Sequence, residues 1–199
     1  MFCGNSAAGE EEGSEGERQE GESIAEPTVG EELLFARAAI AAIDQYMVGL
    51  KAVHRWRDTV TPVTERGQSR LLRRQLGGSQ SPDLGLAQRK WGEARAALEG
   101  VPASSAATAG LRAGLAQGIH LALETAGEFR LVGAGFNTAV FVSGSLKLCR
   151  ADEKMLHAAE ELRRILKGMA DEPEVAELLT LHGIDLELHA AYLRTKGCD

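Results

Sequence analysis

The sequence predicts an all-α fold, a bundle of about five to seven helices carried on a disordered acidic N-terminal tail. Three observations lead there. Apolar residues recur in alternating steps of three and four over long stretches, the spacing that lines one face of a helix. Thr-Pro and Ser-Pro pairs stand where such stretches begin, and Gly-Gly or Gly-Val-Pro where they end. No alternation of strand and helix patterns and no repeat of solenoid length interrupts them. Aromatic residues are only 5% of the chain, so the core has to be built from Ala, Leu, Ile and Val.

The 199 residues suit one domain, residues 28–199, behind a tail of residues 1–27. Residues 1–32 hold ten Glu against Arg18 alone, a net of −9 in a chain whose net charge is −7. The acidity therefore belongs to the tail, and the body is slightly basic. From Gly4 to Pro27 the one large apolar residue is Ile24. Such a segment has too little to bury to offset the ordering entropy of about 1–2 kcal/mol per residue, and its like charges push it open. It reads as an extended spacer.

Order is expected to begin at Thr28-Val-Gly-Glu31, which has the spacing of a capping box. Leu33, Ala36, Ile40, Ile43, Met47 and Leu50 then mark a helix over 30–58. Thr61-Pro62 predicts a restart and a short basic helix over 62–76, closed by Gly77-Gly78. Ser81-Pro82-Asp83 predicts a helix to about Glu99. Ser104 or Ser105 caps the next, to about Arg130, which carries Ala106, Gly110, Gly114, Gly118, Ala122 and Ala126 every four residues. This row predicts a smooth ridge against which another helix backbone packs closely. In lipid, GxxxG would pair membrane helices, but Arg112, His120 and Glu124 on the same helix favour a tight contact within a bundle. No apolar run reaches the roughly 18–20 residues that span a bilayer.

Residues 131–146 carry no charge until Lys147 and read in two ways. Thr138-Ala-Val-Phe-Val142 has strand composition, with Ser143-Gly-Ser145 as a turn. The three-and-four phase through Phe141, Leu148, Met155, Ala159, Leu162 and Leu166 instead favours one helix from about 135, with Ser145 and Asp152 as polar flaws on its apolar face. Asp171-Glu-Pro-Glu174 starts a last helical region, with Gly183 as an expected kink or break.

The cysteines are Cys3, Cys149 and Cys198; without a CxxC pair, zinc ribbons and thioredoxin-type sites are excluded. Cys3-Gly-Asn-Ser followed by the acidic Gly/Ser stretch resembles the mature N-terminus of a bacterial lipoprotein. The resemblance covers about the first 25 residues and concerns processing, not fold. It implies a lipid on Cys3, a flexible tether behind it and a place on the periplasmic side of the cell envelope. It also implies a signal peptide ahead of Cys3, where this sequence has Met1-Phe2. In an oxidising compartment Cys149 and Cys198 would pair as a disulfide closing a loop of about fifty residues.

Candidate metal ligands are His120 with Glu124, then Glu153 with His157, and finally His182, Asp185 and His189 at helical spacing. Bundles build metal sites from such inward groups, but the Glu-x-x-His of di-iron bundles is absent. A haem held by Met47 or Met155 and a histidine is the other cofactor reading; core filling is the ordinary role of those methionines. No GxSxG, Walker A, dinucleotide fingerprint or HExxH occurs. Between Lys51 and Lys90 nine basic residues, among them Arg66, Arg70, Arg73 and Arg74, outweigh three acidic ones, with Trp56 and Trp91 nearby. The chain's acidity and the lack of a known module disfavour nucleic acid. The function expected is non-enzymatic: a lipid-anchored envelope module that binds or scaffolds an unknown protein partner. A metal- or haem-binding bundle and a cytoplasmic interaction protein are the alternatives.

Overall fold

Thr28 and Glu31 close the capping box their spacing predicts. The Glu31 N–H donates to the Thr28 hydroxyl at 3.3 Å and the Thr28 N–H to the Glu31 carboxylate at 3.1 Å. The helix that follows, α1, spans Val29–Glu65. The structure, a computed structural model, describes residues 28–65, 81–134 and 138–196. The tail 1–27 with Cys3, most of the basic helix with Arg66, Arg70, Arg73 and Arg74, and Cys198 lie outside the described residues. Four more helices follow: α2 (Pro82–Glu99), α3 (Ala106–Ala134), α4 (Thr138–Gly168) and α5 (Pro173–Lys196). Among the described residues the fold is all-α, as expected, with five helices and no strand.

Two boundaries differ from expectation. α1 runs through Thr61-Pro62 to Glu65 where a restart was expected. Pro62 cannot donate to the Asp58 carbonyl, but its fixed φ is helical, and the turns before it are anchored by the buried Trp56 and Val60. α5 runs unbroken through Gly183, so His182, Asp185 and His189 share one helix. A single glycine costs a helix interior about 0.5–1 kcal/mol, too little to break one whose buried Leu178 and Leu186 bracket it. The uncharged stretch is helical from Thr138, the favoured of its two readings, because Phe141, Leu148 and Met155 meet the core on the helical phase. The remaining starts are as read. Pro82 opens α2, with Gly85 N–H bonded to the Ser81 carbonyl at 3.0 Å. Ser105 and Thr108 cap α3 reciprocally, each side-chain oxygen accepting from the other's N–H at 3.2 and 3.0 Å.

α1 and α2, α3 and α4, and α4 and α5 run antiparallel. Arg55 meets Asp83 across α1 and α2, Lys147 meets Glu128 across α3 and α4, and Arg163 meets Glu187 across α4 and α5. α1 lies in the middle and touches all four others. Its buried residues leave little of its circumference exposed, from Leu33, Phe35 and Ala36 through Ile43, Tyr46, Met47 and Leu50 to Trp56 and Val60. By length and composition alone the stretch Val29–Val60 is apolar enough to cross a membrane, and 61% of its apolar window is buried inside the bundle. This corrects the expectation that no stretch reaches that length. Arg37 and Asp44 interrupt the apolar window without outweighing its aliphatic average.

Two close approaches shape the core. A Cβ at Gly49 would lie 2.5 Å from the Trp91 indole nitrogen, so the glycine is the seat of that ring. Farther along α1, Trp56 packs on Phe129 with ring centroids 4.8 Å apart, and Phe129 on Phe141 at 5.7 Å. The glycine ridge of α3 is close-packed only in part. A Cβ at Gly118 would meet Met155 at 3.0 Å, but at Gly110 and Gly114 it would meet nothing within 4 Å. The expected helix contact along the whole ridge is therefore corrected: α4 closes on Gly118, and the N-terminal half of the ridge faces an open groove.

These approaches separate the glycines by function in the fold. Gly49→Ala should destabilise the protein by about 1–3 kcal/mol, because the fully buried Trp91 has to move. Gly114→Ala should stabilise it by about 0.5–1 kcal/mol through helix propensity. Urea unfolding of both variants beside the wild type checks the pair, and the two changes must have opposite signs.

Candidate functional site

Asp152 falls on the apolar phase of α4, and the fold buries it there, leaving it 2% exposed. The Tyr46 hydroxyl, also fully buried, donates to Asp152 Oδ1 at 2.6 Å. Trp91 completes the cluster: its indole N–H donates to the Tyr46 carbonyl at 3.1 Å, and its ring stacks on Tyr46 at 5.8 Å. Asp152 Oδ2 is buried without a hydrogen-bond partner among the described residues. Loss of hydration pushes the Asp152 carboxyl up to about 8, against the opposing pull of the Tyr46 hydrogen bond and the Arg57 charge. The same burial and the neighbouring carboxylate raise Tyr46 well above its usual range, so its phenol stays a donor. The pair can hold or release one proton near neutral pH inside the bundle.

A second polar seam joins α1 to α5. His54 Nδ1 lies 2.8 Å from the Tyr192 hydroxyl, with the two rings stacked. Lys51 Nζ sits 5.8 Å from the Tyr192 ring centroid. His189 Nδ1 lies 3.5 Å from Asp44 Oδ1. Burial raises the Asp44 carboxyl; His189 and His182 oppose that rise, and Asp185 adds to it. Burial likewise lowers His189, with Asp44 opposing. Of the C-terminal trio, His189 meets Asp44, a residue the spacing argument did not include, while His182 and Asp185 act on that carboxyl through their charge alone.

The other candidate ligands are dispersed. His120 is 70% exposed and lies 3.4 Å from Glu124, which also pairs with Lys147 at 3.2 Å. The Cys149 sulfur on α4 lies 4.0 Å from Glu153. His157 lines the open half of the glycine ridge, a groove of about 330 Å³, with Gly110, Gly114 and Glu161. Met47 and Met155 are buried in the core, Met155 against Gly118. Among the described residues no group of three or more His, Cys, Asp or Glu is arranged to hold a metal ion. The tryptophans near the basic stretch, Trp56 and Trp91, are buried and cannot stack on bases.

No protein-family model, characterised protein or solved structure matches this chain. Function has to be read from its own surfaces, and one stands out. On α5, Leu181, Ile184 and Leu188 are 62%, 71% and 60% exposed. At 3.6 residues per turn they project directly opposite Val175, Leu186, Ala190 and Leu193, which enter the core. Spacing analysis passed over this face. Its signal was an excess: Leu178, Leu179, Leu181, Ile184, Leu186 and Leu188 are more aliphatics than one stripe of a short helix can hold.

The buried carboxyl carries a pH signature. A folded-state value raised above the unfolded one means full stability at acid pH, lost progressively as pH climbs from about 4 to about 8. Asp152→Asn should remove that loss. The variant's stability relative to wild type should therefore rise between about pH 5 and pH 8. Thermal melts across that range check it; parallel curves would mean that Asp152 does not titrate with folding.

Proposed function

We propose that this chain is a helical-bundle binding module, held at the periplasmic face of a membrane by a lipid on Cys3, that engages a protein partner through the outer face of α5. The single observation that carries the binding role is the set of three large aliphatic side chains held in solvent on a helix whose opposite face is already in the core. Exposed apolar patches on folded proteins mark interaction surfaces. Inside the bundle Tyr46 is engaged with Asp152 and His54 with Tyr192. The anchor rests on Cys3 and the acidic spacer behind it, and a spacer of that charge would hold the bundle away from the bilayer.

Two measurements in the native host test the envelope reading. Mass spectrometry of the N-terminal peptide should find acyl chains on Cys3, and Cys3→Ser should move the protein out of the membrane fraction; a free thiol there overturns the anchor. The antiparallel register of α4 and α5, pinned by Arg163–Glu187 and Glu160–Arg194, aims the C-terminal end of α5 along α4 in the direction of Cys149. This supports a Cys149–Cys198 disulfide. Peptide mapping without reductant should recover that linkage, and reduction should cost about 3–4 kcal/mol of stability; both thiols free in envelope-purified protein would remove it.

A further inference from the structure

The outer face of α5 has a pattern more specific than exposure. Glu177, Leu181, Ile184, Leu188, Ala191 and Thr195 follow alternating steps of four and three, the seam of a two-helix coiled coil. All six positions are exposed. The ends of the seam differ in charge. Glu172, Glu174 and Glu177 stand at the start of the helix, and Arg194 and Lys196 at its end.

We infer that this face takes a second copy of the same chain, with the two α5 helices antiparallel about a two-fold axis at Ile184. The inference rests on the binding role proposed for this face and names its partner. About that axis Ile184 meets its own copy, Leu181 meets Leu188, and the small Ala191 leaves room for Glu177. Glu174 comes opposite Arg194, a contact made twice by symmetry. A parallel pair would instead bring Glu174 and Glu177 of one copy against the same residues of the other. The antiparallel pair also sets the helix dipoles head to tail.

Neighbouring charges leave the seam accessible. Glu187 is held sideways by Arg163 on α4. Arg194 bonds Glu160 through one edge of its guanidinium and remains more than half exposed, and a guanidinium has donors to spare. One helix of this length is about 36 Å long. A single such helix pair lies at the small end of specific interfaces, which places the association in the micromolar range.

Sedimentation of the full-length protein over about 1–200 µM tests this. The mass should rise from the 21.2 kDa of one chain toward twice that value. Ile184→Glu should weaken pairing at least about tenfold, with an unchanged melting profile because Ile184 makes no core contact. Glu174→Lys reads the orientation. It faces Arg194 in an antiparallel pair and should weaken association about threefold, whereas in a parallel pair it would relieve Glu–Glu repulsion and strengthen it. A single-chain mass throughout, a dimer indifferent to Ile184→Glu, or a dimer strengthened by Glu174→Lys each overturns the inference. None of these readings depends on Cys3, so a failed dimer and a failed anchor are told apart.

Discussion

The arrangement of the bundle follows from one constraint: α1 is apolar around most of its circumference and has to be enclosed. An amphipathic helix needs one neighbour on one side; a helix with Leu33, Phe35, Ala36, Ile40, Ile43, Met47, Leu50 and Val53 pointing in several directions needs neighbours on several. The small residues of α1 decide how close those neighbours come. Gly49 admits the Trp91 indole of α2, and Ala39, Ala42 and Ala52 let other backbones approach. The large residues decide where they stop, as Trp56 does against Phe129 of α3 and Phe141 of α4. The same all-round character explains why α1 has the composition of a membrane span while most of its apolar window lies inside the protein.

Within that enclosure the Tyr46–Asp152 pair works against stability and in favour of register. An aliphatic pair in its place would avoid the dehydration that drives Asp152 up to about 8. The phenol, however, donates to one carboxyl oxygen, Asp152 Oδ1, at 2.6 Å. Sliding α4 by a turn along α1 would leave both groups buried and unpaired, at a cost of several kcal/mol. Apolar contacts alone, between Ala and Leu side chains of similar shape, discriminate poorly against such a slip. The pair supplies the discrimination that an aromatic-poor core lacks.

What the sequence made legible were features with local causes. Thr28 with Glu31, a serine at 104 or 105, and Ser81-Pro82 start helices through groups three or four residues apart, and their positions followed from spacing; Thr108, the partner of Ser105, was not read. Pro62 and Gly183 misled for the same reason. Each weakens a helix by a known local amount, and buried neighbours at Trp56, Val60 and Leu186 outweigh it. The glycine ridge was visible as a pattern, but which half is covered depends on where α4 crosses, and only Gly118 lies under Met155. Asp152 was visible as a flaw on an apolar face. Its partner was not, since Tyr46 lies 106 residues earlier and nothing local links them. The metal-ligand spacing at His182, Asp185 and His189 was real as helical geometry, yet Asp44 is what meets it, through the packing of α1 on α5.

The two apolar faces of α5 differ in what they ask of the rest of the chain. Val175, Leu186, Ala190 and Leu193 are satisfied by α1 and α4 within one copy. The opposite row, Leu181, Ile184 and Leu188, stays more than half exposed among the described residues. The dimer we propose follows from the charges beside this row. A partner helix has to present aliphatics at matching spacing, with basic residues near one end and acidic residues near the other, and an antiparallel α5 presents that combination. If the chain is lipid-anchored, the tether strengthens the pairing without adding a contact. Confinement near a membrane raises the local concentration of each copy, so an interface too small to hold free molecules together becomes sufficient there.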